Sequence, residues 1–307
     1  MNVKQHLTQL IGNTPMYEIT AFDLPEGVRL FAKLEFLNIG GSIKDRLGFY
    51  LIQQAMERGE LREGDTIIEP TAGNTGIGLA LAAIHFKLHA VFVTPEKFSV
   101  EKQTLMRALG AEVINTPTEL GMARAIEKAK KLSEEIPNAY VPNQFQNADN
   151  PDTYYYSLGP EIMADLDGKV DIFVAGAGSG GTFTGTARYL KERNPSIKTV
   201  IVEPEGSILN GGEAGPHKTE GIGLEFIPEF MDDRLFDKIY TISDERAFAK
   251  LAEIAKLEGL LIGSSSGAAL EAALQEAENA SPGTNIVTIF PDSSERYLST
   301  GIYEGAK

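Results

Sequence analysis

The strongest constraint on this chain's fold is a rhythm that runs along most of its 307 residues. Short apolar runs at 66–69, 90–93 and 111–114 read as strands, and segments with helical periodicity follow them at 75–86, 100–109 and 121–135. The second half repeats the theme, with strands at 171–175, 199–202, 238–242 and 285–290 and helices at 182–193, 244–259 and 266–278. Strands separated by helices of ten to fifteen residues form βαβ units, and such units build a parallel sheet. The length exceeds what one core normally holds, so two lobes are expected. An amphipathic helix is predicted over 1–11, with Val3, Leu7, Leu10 and Ile11 on one side, broken by Gly12-Asn13-Thr14-Pro15. A further strand at 29–34 leads to a helix at 45–58. The polar stretch 143–152 reads as a lobe boundary, and 204–230, rich in Gly, Pro and Glu, as an irregular excursion.

Composition removes several function classes. The formal net charge of −15 argues against a nucleic-acid partner, because phosphate binding needs a basic face. The chain has no cysteine, which rules out disulfides, thiolate metal sites and a cysteine nucleophile together. No apolar run approaches the ~20 residues of a membrane span, and residues 1–6 lack a signal-peptide core, so a cytoplasmic location without a membrane partner is expected. Of the four histidines, His85 and His89 are spaced like helical metal ligands. No carboxylate lies between them, and no metal site is expected.

Four stretches carry chemical possibilities. In Gly40-Gly41-Ser42-Ile43-Lys44-Asp45-Arg46, Lys44 fits either a solvated lysine near a helix start or a lysine that forms a Schiff base. Ser42 or Asp45 is a candidate helix cap. In Thr71-Ala72-Gly73-Asn74-Thr75-Gly76, a strand runs into a helix through small residues. Such a turn suits a carboxylate at its backbone N–H groups, or is simply capped by Asn74 or Thr75. Gly176-Ala177-Gly178-Ser179-Gly180-Gly181-Thr182 satisfies G-x-G-x-x-G, and Glu203 ends the next strand where a ribose-binding acid would stand, so an NAD-dependent oxidoreductase is a serious reading. The hydroxyls of Ser179 and Thr182 equally suit a single phosphate dianion. Ser293 lies just past a parallel strand's C-terminal end and could donate to a neutral ring nitrogen; if the adjacent Asp292 faced the ring instead, that nitrogen would be protonated.

Taken in order and at these spacings, the four stretches, the last of them Pro291-Asp292-Ser293, resemble the pyridoxal-phosphate enzymes of fold type II, in the cysteine synthase/cystathionine β-synthase family. The resemblance covers essentially the whole chain. It implies a tryptophan synthase β-like α/β fold of two lobes, each a mostly parallel twisted sheet flanked by helices. A large cofactor-binding domain would span 1–44 and 146–307, and a small substrate-closing domain 45–145. Lys44 would carry pyridoxal 5′-phosphate and act as the catalytic base, and Asn74 would bond the cofactor's ring hydroxyl. Gly178, Ser179, Gly180, Gly181 and Thr182 would cradle the phosphate, and Ser293 would face the pyridine nitrogen. Thr71, Gly73, Asn74, Thr75 and Gln144 would hold the substrate carboxylate, and Gly221 would line the site's mouth.

The family reading implies a homodimer acting on small amino-acid substrates. Residues 69–71, 204–209 and 220–228 look most like the short bacterial cystathionine β-synthases. That implies β-replacement on O-acetylserine (or serine) through an α-aminoacrylate, with homocysteine as acceptor. Sulfide as acceptor, giving cysteine, is the near alternative, and hydrogen sulfide release from cysteine would use the same chemistry. Two departures stand out: Ala72 occupies a position where the family usually has serine, and Ser179 one where it usually has threonine.

Overall fold

The computed structural model describes residues 3–304. In chain order the regular elements are β1 (Met16–Ile19), β2 (Arg29–Leu34), α1 (Lys44–Glu57), β3 (Thr66–Pro70), α2 (Asn74–Phe86), β4 (His89–Pro95), α3 (Val100–Ala108), β5 (Glu112–Thr116), α4 (Gly121–Glu135) and β6 (Ala139–Tyr140). They continue with α5 (Asp149–Tyr156), α6 (Leu158–Asp165), β7 (Ile172–Gly176), α7 (Gly181–Arg193), β8 (Lys198–Pro204), β9 (Lys238–Ile242), α8 (Asp244–Glu258), α9 (Ser264–Glu278) and β10 (Asn285–Phe290). Two compact units result. The first holds the chain up to Ile11 with Asn38–Asn150, the second Gly12–Leu37 with the chain from Pro151 onward. The predicted α/β class, with mostly parallel sheets flanked by helices, is what the structure has.

The first unit is a four-stranded parallel sheet in the order β5-β4-β3-β6. Alternation along a strand sends neighbouring side chains to opposite faces. Ile67 and Phe92 accordingly join one apolar cluster with Phe49, Ile52, Leu79 and Ala82 of α1 and α2, while Ile68, Val91 and Val93 join another with Ala125 and Ala129 of α4. Helices α1 and α2 meet backbone to backbone. A Cβ at Gly48 would collide with Gly78, and one at Gly78 with the carbonyl of Lys44. Glycine at both positions is what lets the first turn of α1 sit against α2.

The second unit is a six-stranded sheet in the order β1-β2-β10-β7-β8-β9, parallel except for β1. Its inner strands β10, β7 and β8 are buried on both faces, and their near-continuous apolar runs made them readable in the sequence. Residues of α8 and α9, including Leu251, Ile254, Leu270 and Ala273, join Leu30, Val174, Val200 and Ile286 in its core.

Three local expectations change. The helix predicted over 1–11 is only a 3₁₀ turn, Leu7–Leu10, with the Gln9 side chain accepting from the backbone N–H groups of Gln5 and His6; Met1 and Asn2 lie outside the described residues. A short segment ending at Gly12 and Asn13, both at positive φ, offers too few turns to repay helix nucleation. Strand β1, unpredicted, adds an antiparallel edge to β2. Helix α5 starts inside the polar stretch read as a lobe boundary, and α6 follows where no element is predicted.

Candidate active site

In the first unit, Lys44 opens α1 and is partly buried among the buried residues Ser42, Ile43, Asp45 and Arg46. The Ser42 hydroxyl accepts from the Lys44 backbone N–H at 3.2 Å. The Asp45 carboxylate reaches back to accept from Gly40 N–H at 2.6 Å. Gly41 turns the loop at φ +76°, and a Cβ at Gly40 would strike the Asp45 carboxylate. The acid after the lysine therefore fastens the approach loop, and the glycines give it room.

The loop after β3 begins at Thr71, whose hydroxyl accepts from Gly73 N–H at 3.3 Å. Gly73 is the N-cap of α2, with no side chain capping the helix; Asn74 and Thr75 follow as its first residues. Nothing lies within 4 Å of where a Gly73 Cβ would be, so this helix start faces open space. Thr75 Oγ1 donates to Gln144 Oε1 at 2.8 Å, and both residues are buried. The structure thus brings Thr71, Gly73, Asn74, Thr75 and Gln144 together, although Gln144 is about seventy residues away in the chain.

Gln144 is held in its turn. Its carbonyl accepts from Asn150 Nδ2 at 2.6 Å, and the Glu69 carboxylate accepts from the backbone N–H of Asn143 at 3.0 Å and of Gln144 at 3.5 Å. Burial pushes the Glu69 carboxyl up to about 7, against the pull of those two N–H groups. The sequence marks Glu69 only within the run 69–71 that resembles cystathionine β-synthases, without a role of its own; an acid closing an otherwise apolar strand is the signal for one.

In the second unit, the turn between β7 and α7 holds Gly178, Ser179, Gly180, Gly181 and Thr182. Gly180 is the N-cap of α7 at φ +83°, and Ser179 is buried. The turn is braced from behind. A Cβ on Gly178 would strike the carbonyl of Gly221, one on Gly180 would strike Met231, and Gly223 N–H donates to the Ala177 carbonyl at 2.8 Å. Gly221 therefore lies against the loop predicted to take the phosphate. A glycine-rich turn with a buried serine at the N-terminus of a thirteen-residue helix fits a phosphate ester.

Past β10, Asp292 is buried and its carboxylate accepts from the Tyr297 hydroxyl, whose pKa burial and that carboxylate raise. Its other side packs against Gly263, whose N–H donates to the Asp292 carbonyl at 2.9 Å. Ser293, next in the chain, stays partly exposed. Of the two candidates for a ring nitrogen, Asp292 is thus turned into the protein. A second serine belongs to this neighbourhood. Ser265, in the first turn of α9, lies 3.6 Å from where a Gly221 Cβ would stand, and the adjacent Ser264 hydroxyl accepts from Glu220 N–H at 2.9 Å. The run Gly263-Ser264-Ser265-Ser266-Gly267 at a helix start was the available signal.

Glu203 does not serve as a ribose ligand. It is 1 % exposed, and its oxygens accept from Leu209 N–H at 2.9 Å, Asn210 N–H at 3.0 Å and the Thr241 hydroxyl at 3.0 Å. His85 stacks edge-on to Phe86, and among the described residues no His, Cys, Asp and Glu cluster suits a metal ion. Among the same residues no helix is long and apolar enough to cross a membrane.

Comparison with known proteins agrees with this chemistry. The family model described as "Pyridoxal-phosphate dependent enzyme" matches residues 7–292. The chain is 62 % identical over 305 residues to the O-acetylserine-dependent cystathionine β-synthase of Bacillus subtilis, covering 99 % of each chain. It is 58 % identical over 295 residues to a cysteine synthase of Helicobacter pylori, covering 95 % of this chain and 96 % of that one. The crystal structure of O-acetylserine-dependent cystathionine β-synthase from Helicobacter pylori matches with a TM-score of 0.94 at 56 % identity, over 99 % of this chain and 100 % of the other. The NAD-dependent reading of the glycine loop falls with these matches, and the chain belongs to the pyridoxal-phosphate-dependent enzymes of the cysteine synthase/cystathionine β-synthase family.

Proposed function

We propose that this protein replaces the acetoxy group at Cβ of O-acetylserine with the thiolate of homocysteine, giving cystathionine and acetate. The observation that carries an amino-acid substrate is the Thr75–Gln144 pair beside the start of α2, a seat suited to an α-carboxylate, and β-replacement follows from the family. The choice of homocysteine rests on the full-length similarity to an O-acetylserine-dependent cystathionine β-synthase. Sulfide as acceptor, giving cysteine, is the second reading, favoured by the similarity to a cysteine synthase.

Pyridoxal phosphate, when bound, supplies an electron sink for carbanion chemistry at the substrate's Cα. Gly178, Ser179, Gly180, Gly181 and Thr182 would hold its phosphate, Asn74 its ring hydroxyl, and Lys44 its aldehyde carbon. A serine hydroxyl would meet the ring nitrogen: Ser293 by its place after β10, or Ser265 by its place against Gly221. A hydroxyl there, in place of a carboxylate, leaves the sink weaker and favours prompt loss of the β-substituent. Thr71, Gly73, Asn74, Thr75 and Gln144 bind and orient the carboxylate. The Lys44 amine would take the proton from Cα. Closure of a small lobe over 45–145 would exclude water from the reacting carbon. A cytoplasmic homodimer is the expected working form.

Borohydride reduction of the holoenzyme followed by peptide mapping tests the centre: the pyridoxyl label is expected on Lys44, and its absence there sinks the assignment. Turnover of O-acetylserine with homocysteine against sulfide, at matched concentrations, tests the acceptor. A clear preference for sulfide would replace the first reading by the second. Absorbance spectra of Ser293→Ala and Ser265→Ala holoenzymes separate the two serines, since only loss of the nitrogen's partner shifts the cofactor band.

A further inference from the structure

Glu69 is a buried carboxylate, 2 % exposed. Among the described residues its oxygens meet the backbone N–H groups of Asn143 and Gln144 and no charged side chain. Taking a carboxylate out of water for two backbone donors is unfavourable, and an apolar residue such as its neighbours Ile67 and Ile68 would pack at less cost. The position must gain something other than stability.

What it holds is an unusual piece of backbone. Asn143 sits at φ +49°, in the left-handed region that side-chain-bearing residues rarely adopt. Its side chain also donates to Gln146 Oε1 at 2.9 Å. The next residue, Gln144, turns its side chain to Thr75. Glu69 thus touches both halves of the carboxylate seat. Through Pro70 it leads directly into the loop 71–75, and through its oxygens it grips the segment that delivers Gln144.

We propose that Glu69 is the positioning residue of the substrate-carboxylate seat, its ionised side chain fixing the Asn143–Gln144 backbone so that the Gln144 amide stays in register with Thr75. This rests on the reading of 71–75 and Gln144 as that seat. A protonated Glu69 offers one good acceptor where the carboxylate offers two, so the grip loosens as the group gains a proton. Its pKa of about 7 puts that change within the working range of pH. Burial raises the value and the Asn143 and Gln144 N–H groups lower it; among the described residues, no charged side chain from the elements packed on β3 takes part.

The test uses the pyridoxal-phosphate-loaded enzyme and O-acetylserine. In the wild type, KM for O-acetylserine is expected to rise as pH falls from 8 to 6. In Glu69→Gln, an isosteric change, KM is raised about tenfold at pH 8, by more than kcat falls. Its KM should lose the component of the pH dependence centred near 7, with the cofactor absorbance retained. Gln144→Ala separates the layers. If it leaves KM unchanged, the seat itself is misread and the role of Glu69 falls with it. If Gln144→Ala raises KM while Glu69→Gln matches the wild type in KM and pH profile, the seat stands and Glu69 is only a packing residue. A wild-type KM flat from pH 8 to 6 overturns the proposal without any variant.

Discussion

Each unit contains a strand that runs through a glycine-bearing turn into a helix, and the two turns are built on opposite plans. The turn at 178–182 is braced: Gly178 abuts the Gly221 carbonyl, Gly180 abuts Met231, and Gly223 ties the supporting strap to Ala177. The turn at 71–75 is open: nothing lies within 4 Å of the Gly73 Cβ position, and its fixed point is instead the distant Gln144, held by Glu69. A cofactor that stays through every turnover suits a rigid cup. A substrate that enters and leaves each cycle suits a loop with room above it and an adjustable brace behind it.

The largest expected effect comes from neither turn. Lys44→Ala should lower turnover on the order of a thousandfold or more, as removal of both a covalent anchor and a base implies, measured with O-acetylserine and homocysteine. Near-normal turnover would remove Lys44 from the reaction. The sharpest test of the contrast is a pair of glycine substitutions. Gly178→Ala drives a methyl into backbone, where overpacking costs about 1–3 kcal/mol, so cofactor affinity and the melting temperature should both fall. Gly73→Ala meets open space at φ −122°, a conformation alanine adopts freely. It should keep fold and cofactor and raise KM for the amino-acid substrate. Equal loss of cofactor in the two variants would erase the distinction.

A smaller effect concerns stability and pH. A Glu carboxyl titrates near 4.5 when free and near 7 as Glu69 in the fold, so between those values the folded protein holds a proton that the unfolded chain has released. The contribution of Glu69 to stability is full below pH 4.5 and is lost as pH rises through about 7, by roughly 3 kcal/mol at most. Denaturant midpoints of Glu69→Gln should lack this slope when pH 5 and pH 8 are compared. A slope equal to the wild type's would mean that Glu69 does not titrate in this way. The smallest effect is expected from Ala72→Ser, which adds one hydroxyl to the open turn. Its kcat/KM should move less than about tenfold, the worth of one neutral hydrogen bond. A larger change would make residue 72 part of the substrate seat.

Much of this was legible along the chain because buried strands and helix starts are local. Ile67, Ile68, Ile172, Phe173, Val174, Ile286, Val287 and Ile289 are apolar since both faces of their strands are covered, and the glycines at 178 and 180 announce a turn that needs bare backbone. Helix α5 was illegible for the opposite reason. Its sequence Asp149-Asn150-Pro151-Asp152 reads as part of a polar lobe boundary, and its helix forms around Tyr154, whose complete burial only packing can reveal. Glu203 was misleading: its position in the sequence suits a ribose, yet the loop 207–210 folds back onto it.

The sequence by itself determined the order of most strands and helices, the glycine positions and the place of Lys44 inside a Gly/Ser approach, because periodicity and backbone freedom belong to neighbouring residues. Only the tertiary structure decided which polar groups are engaged in the protein and which stand at the open turns. Asp292 is spent on Tyr297 beside Gly263, Glu203 on its own loop, and Glu69 on a segment more than seventy residues away. A carboxylate binds whatever donors the fold brings to it, and long-range packing, which no local pattern encodes, supplies them.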